Sequence, residues 1–137
     1  MAGLTGAERL WTVQAEGEVL LVGSAQPIAV PSGQLVTLQD VILNAPGTAG
    51  TTLRFRFLAP QIARNGGSIP PGTATEDMRV LCESFALPWL ADLGPLPEQI
   101  VISLSDTAVP FGETAPEATQ FFEAFSLRDG VCIWEAF

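Results

Sequence analysis

At 137 residues, with 47% hydrophobic side chains and a formal charge of −9, the chain has the size and apolar content of one well-packed domain. Fifteen acidic residues stand against six arginines, and histidine, lysine and tyrosine are all missing. This balance disfavours nucleic acid and anionic membrane surfaces, and it removes histidine-based triads, Schiff-base chemistry and imidazole metal ligation.

Residues 1–29 have little periodicity and read as an extended, partly ordered lead-in or a remnant leader. As written they are no signal peptide. Glu8, Glu16 and Glu18 surround the single Arg9, and the apolar run Val19-Leu20-Leu21-Val22 falls short of the roughly 7–15 residues a leader needs. A misassigned start codon would hide one; the protein is then periplasmic or secreted, and otherwise cytoplasmic. No stretch reaches the ~20 apolar residues of a membrane span.

The domain proper, residues 30–137, opens on the turn Val30-Pro31-Ser32-Gly33. Gln34–Asn44 is rich in apolar and β-branched residues and reads as a strand. After the loop Ala45–Gly50, Thr51–Leu58 alternates, with Leu53, Phe55 and Phe57 on one side and Arg54 and Arg56 on the other. The two segments form an antiparallel hairpin with one wet face. Pro60–Thr75 is loop in composition. The spacing of Thr73 and Glu76 then predicts a capping box. Met78, Leu81, Cys82, Phe85 and Trp89 fall at i, i+3, i+4, i+7 and i+11, one apolar helical stripe. Pro88 should kink or end that helix near Ala86, and Gly94-Pro95 stops any continuation.

Gln99–Ser105 is nearly uncharged and reads as a central strand, followed by an irregular acidic loop over 106–117. Asp129-Gly130 between two β-like runs is a strong two-residue hairpin signal. Counting outward pairs Leu127 with Cys132, Phe125 with Trp134 and Glu123 with Ala136 on one face. Ser126–Ile133, Ala124–Glu135 and Phe122–Phe137 share the other. The first face is assigned to the core. Cys132 and Cys82 therefore point into the same interior.

Two cysteines without histidine are too few ligands for a metal site, and no Cys-x-x-Cys is present. Two arrangements remain, a bridge or a pair of buried thiols. The shared face and even count favour the Cys82–Cys132 bridge, worth about 3–4 kcal/mol in the loop-entropy model. Asp106, Glu113 and Glu117 are candidates for acid–base or cation chemistry, since paired carboxylates or oxygen clusters are what such chemistry requires. The spacing of a calcium loop is absent, and carboxylates at this density are usually solvated. Phe122, Ile133 and Phe137 make the second hairpin face more apolar than a wet face should be, which marks a candidate interaction surface for a protein partner. Arg54 and Arg56 suit an anion, although ion pairing with the surplus acids is the more ordinary expectation.

Several segments together resemble a family of small, uncharacterised and apparently exported bacterial proteins. They are Leu53-Arg54-Phe55-Arg56-Phe57-Leu58-Ala59-Pro60, Met78 to Leu87 around Cys82, and Ile102-Ser103-Leu104-Ser105-Asp106. Phe111-Gly112-Glu113, Pro116 to Ala124 and Cys132-Ile133-Trp134-Glu135 continue the resemblance, which spans residues 30–137. It implies an extracytoplasmic disulfide, because such relatives have an export leader and both cysteines. Some relatives are labelled acetolactate synthase, but this chain has no thiamine-diphosphate site and is far shorter than that catalytic subunit.

The expected fold is a single α+β domain in the order β-β-α-β-β-β, an antiparallel sheet of about five strands with one main helix packed on it. The expected function is a non-enzymatic extracytoplasmic binding or accessory protein without a cofactor. The alternative is a carboxylate-based enzyme or divalent-cation module using 106–117.

Overall fold

The computed structural model describes residues 11–13, 19–43, 52–64, 66–91, 97–110, 113 and 115–135. Alternation of apolar and polar residues builds its centre. Strand β3 (Thr37–Leu43) pairs antiparallel with β4 (Thr52–Leu58), which buries Leu53, Phe55 and Phe57 and turns Arg54 and Arg56 the other way. The β3–β4 hairpin is thus as the alternation predicts. Ahead of it, β1 (Trp11–Val13) and β2 (Val19–Ser24) extend the same sheet, so residues assigned to a lead-in contribute two strands to the domain. Glycine is required at position 23. A Cβ there would lie 2.1 Å from the carbonyl oxygen of Leu38 on the neighbouring strand.

A helical layer connects β4 to β5 (Gln99–Ser105). It runs through a 3-10 turn at Pro60–Ile62, helix α1 (Pro71–Leu81), a π turn at Cys82–Ala86 and α2 (Leu87–Leu90). Because the connection crosses over one face, β5 returns parallel to β4, while the other strand pairs among the described residues are antiparallel. β6 (Gln120–Arg128) and β7 (Val131–Glu135) follow. Among the described residues seven strands lie side by side in chain order, from β1 at one edge to β7 at the other. The single α+β domain holds, with two more strands than expected.

The helix does not begin on a capping box. Pro70 is the extended residue before it and Pro71 the first helical residue, with no side-chain cap. Proline at that position lacks a hydrogen that would go unpaired anyway, and its fixed φ suits the first turn. Thr73 is already inside the helix, and Glu76 pairs with Arg79 instead. The irregularity expected near Ala86 is the π turn. Leu87 N–H donates to the Cys82 carbonyl five residues back, widening the helix just where the Pro88 ring would crowd the preceding turn.

The helical stripe packs as its spacing predicts. Met78, Leu81 and Cys82 are buried, and Phe55 meets the Trp89 ring edge-on at 5.1 Å while Phe57 meets Phe85 at 5.6 Å. Ile100, Ile102 and Leu104 of β5 and Phe125 of β6 complete this core. Each such side chain contributes about 1.5–3 kcal/mol by burial. Asp77 lies wholly buried on α1, and among the described residues no arginine pairs with it. Its carboxylate accepts from the Ser32 N–H at 3.0 Å, from the Ser32 hydroxyl and from Gln34 Nε2 at 2.8 Å. This carboxylate clamps the turn before β3 onto the helix, as a buried charge requires several donors.

The terminal hairpin turns at Asp129 and Gly130, both at positive φ (53° and 76°). Leu127–Cys132, Phe125–Trp134, Ser126–Ile133 and Ala124–Glu135 pair as counted from the turn. The pairs involving Ala136 and Phe137 fall outside the described residues. One core assignment is corrected. Trp134 is 56% exposed, with its indole N–H donated to Glu123. β7 is the sheet's edge, and the helix covers Cys132 but not the residue two positions further on.

Candidate functional site

Cys82 in the π turn and Cys132 on β7 are joined, with sulfurs 2.08 Å apart and Cα atoms 6.3 Å apart. The bridge ties the helical layer to the edge of the sheet inside the core. No cysteine among the described residues is free.

Among the described residues the opposite face of the sheet carries no helix, and pairing fixes its side chains in rows. Asp40, Arg56, Ser103 and Phe122 lie side by side on β3, β4, β5 and β6. Ile42, Arg54, Val101, Ala124 and Glu135 form the next row. A bulge on β3 sets two residues, Gln39 and Asp40, where regular pairing would allow one. It keeps Leu38 and Val41 in the core while aiming Gln39 and Asp40 at the helix-free face.

Arg56 grips Asp40 with two hydrogen bonds, of 2.8 and 3.1 Å. Burial pushes the Asp40 carboxyl above its ordinary value of 3.8, and the Arg56 charge only partly opposes this. The pair is therefore a partly desolvated one that contributes little net stability at neutral pH. Arg56 and Gln39 both also donate to the backbone carbonyl of Val109. That carbonyl draws the loop after β5 back over the sheet. The loop's two ends are tied together by Asp106 N–H to the Thr119 carbonyl and Thr119 N–H to the Asp106 carboxylate, at 3.0 and 2.9 Å. Arg64 donates to the carbonyls of Pro116 and Glu117 from outside.

The returning loop and the sheet enclose a cavity of about 220 Å³. Its floor includes Arg54, Arg56, Val101 and Ser103, and Val109, Glu113, Gln120 and Phe122 stand around it. Phe122 is 71% exposed, and Ile133 on β7, on the same face, is 41% exposed. The apolar character expected of this face is present at both residues; Phe137 falls outside the described residues.

The three carboxylates proposed from the acidic loop take separate places. Asp106 closes the loop, Glu113 lines the cavity, and Glu117 is exposed on the turn that Arg64 holds. Among the described residues no group of three or more cysteines and carboxylates gathers to hold a metal ion. Gln39, Asp40, Ser103, Val109 and Gln120 were not singled out from sequence. The pairing Asp40–Arg56 was legible in principle, since a lone acid in the strand Leu38–Leu43 faces an arginine once the hairpin is set.

A family model matches residues 10–137, all but the first nine residues. The chain belongs to that family, a family of unknown function (DUF6497). The match begins ahead of β1, so the two N-terminal strands are part of the family's common region. No curated protein and no solved structure matches the chain. Among the described residues no helix is long and apolar enough to cross a membrane.

Proposed function

We propose that the chain is a non-enzymatic, extracytoplasmic binding or accessory protein that works through the helix-free face of its sheet. One observation carries this reading. The core lies on one side, while the other side bears a polar-floored cavity rimmed by an exposed phenylalanine, with exposed Ile133 on the same face. Concave sites with a few convergent polar groups, and exposed apolar residues beside them, are how binding faces are ordinarily built. The buried Cys82–Cys132 bridge supports an oxidising location, where such bonds form and persist.

Two measurements test the reading. Alkylation of thiols in intact cells, followed by fractionation and mass analysis, should find the protein outside the cytoplasm with both cysteines blocked from the reagent. A reduced cytoplasmic protein contradicts export. Cross-linking in the same fraction should give a discrete partner with the wild type that Ile133→Glu abolishes. An unchanged cross-link pattern contradicts use of this face.

A further inference from the structure

A second cavity, of about 450 Å³, lies at one end of the sheet. Its walls are the loop leaving β4, with Ile62, Arg64 and Ile69, and the entry to β6 at Thr119 and Phe121. The loops from the carboxyl ends of the parallel strands β4 and β5 meet here, the end at which crossover-connected sheets commonly hold ligands. The first loop is a preformed wall. Ser68 and Ile69 N–H both donate to the Gln61 carbonyl, at 2.9 and 3.0 Å. Glycine is required at position 67, since a Cβ would lie 2.3 Å from the Ala63 carbonyl oxygen.

Two lining groups have donor hydrogens to spare. The Arg64 guanidinium reaches the Pro116, Glu117 and Ala118 carbonyls through Nη2 alone, at 3.1, 3.3 and 3.5 Å. These carbonyls orient the group without neutralising it, and its five N–H donors leave Nε and Nη1 for a ligand. Thr119 is 5% exposed, and its Oγ1 accepts from the Arg64 backbone N–H at 3.1 Å. Among the described residues no acceptor takes its hydroxyl hydrogen, although a buried polar group is ordinarily satisfied. The chain has fifteen acids, yet among the described residues lining this cavity there is no carboxylate.

Charge and size select the ligand. The planar guanidinium fork matches a carboxylate. A phosphate dianion would meet one guanidinium among the described lining residues, and the net charge of −9 repels it more strongly than a monoanion. The volume falls within the ~300–1,000 Å³ of sites for small organic molecules. We infer that the cavity at the end of the sheet binds a small organic monocarboxylate with an apolar body. Its carboxylate goes to Arg64 and the Thr119 hydroxyl, and its body lies against Ile69 and Phe121. This site goes beyond the partner-binding face, whose cavity shares with it only Gln120 among the described lining residues.

Calorimetric titration of the intact, oxidised protein with 3-phenylpropanoate, its neutral analogue 3-phenylpropanamide and inorganic phosphate tests the site. The acid should bind one-to-one, and the amide about tenfold or more weaker, the usual cost of a charge-assisted hydrogen bond. Arg64→Gln should make acid and amide bind alike. Damage to the 116–118 turn alone would weaken both and keep their ratio, an outcome that overturns the inference. Thr119→Val should weaken the acid, and Thr119→Ser, which keeps the hydroxyl, should restore it. No saturable heat with the acid overturns the inference. So does equal binding of acid and amide by the wild type, or displacement of the acid by phosphate at equal concentration. Ile133→Glu stands outside this lining and should leave the titration unchanged, so failure here is distinct from failure of the partner reading.

Discussion

The two faces of the sheet are closed by different means. Beneath the helix, Phe55, Phe57, Ile102 and Phe125 interlock with Met78, Leu81 and an aromatic pair, and a covalent bridge fastens the layers at Cys82 and Cys132. On the other side, a loop is drawn over part of the sheet where Gln39 and Arg56 donate to the Val109 carbonyl, and Phe122 is left in solvent. The first face is apolar and continuous, so its contacts serve stability. The second mixes guanidinium, carboxylate, amide and hydroxyl groups around open space, an arrangement that contributes little to stability and suits recognition. Strand alternation, with one bulge on β3, thus separates an apolar core face from a polar, cavity-bearing one.

Substitution contrasts these faces most sharply. Phe55→Ala should lower stability by about 3–5 kcal/mol in denaturant unfolding, since it empties space next to Trp89 and Phe85. A loss below 1 kcal/mol would show that the helix does not close this face. Removing the bridge with Cys82→Ala and Cys132→Ala should cost about 3–4 kcal/mol, because a loop of 50 residues is no longer closed in the unfolded chain. Intact mass should rise by two hydrogens on reduction of the wild type.

Asp77→Ala strands the Ser32 and Gln34 donors and should cost about 1–3 kcal/mol. If the midpoint does not move, the clamp on the turn before β3 is not holding.

On the helix-free face the expected effects are smaller and depend on pH. Asp40 is raised above its ordinary value, so the wild type takes up a proton on folding as pH falls toward 3.8. The raised carboxyl therefore contributes stability that is full below 3.8 and is lost as pH climbs through its folded value. Asp40→Asn lacks this uptake. The wild type should gain on the variant as the medium is acidified from neutral, read as the difference between their urea midpoints. A difference that moves the other way would mean that attraction to Arg56 outweighs burial. Phe122→Ala should change stability by no more than about 0.5 kcal/mol, as for a solvated side chain.

What the sequence revealed follows the same division. The Leu53–Phe57 alternation, the Met78–Trp89 stripe and the Asp129-Gly130 turn are local signals. Together they define the helix-covered core and the facing cysteines. The N-terminal strands were obscured because Val19-Leu20-Leu21-Val22 is a short unbroken run, without the alternation that marks a half-buried strand. The parallel pairing of β4 and β5 depends on where the chain returns after the helix, which no local pattern encodes. Trp134 shares its face with Phe125 by register, yet only knowledge of the edge strand shows that the helix stops short of it. The cavity was the least legible feature. It depends on Arg56 meeting the carbonyl of a residue 53 positions away and on a one-residue bulge at Gln39.

The central claim is that the helix-free face is the one that binds a partner. Cross-linking of the wild type and of Ile133→Glu in the fraction where the protein resides tests it most directly. A discrete partner that the wild type captures and Ile133→Glu loses, with the unfolding midpoint unchanged, is predicted. An identical cross-link pattern for the two proteins would contradict it.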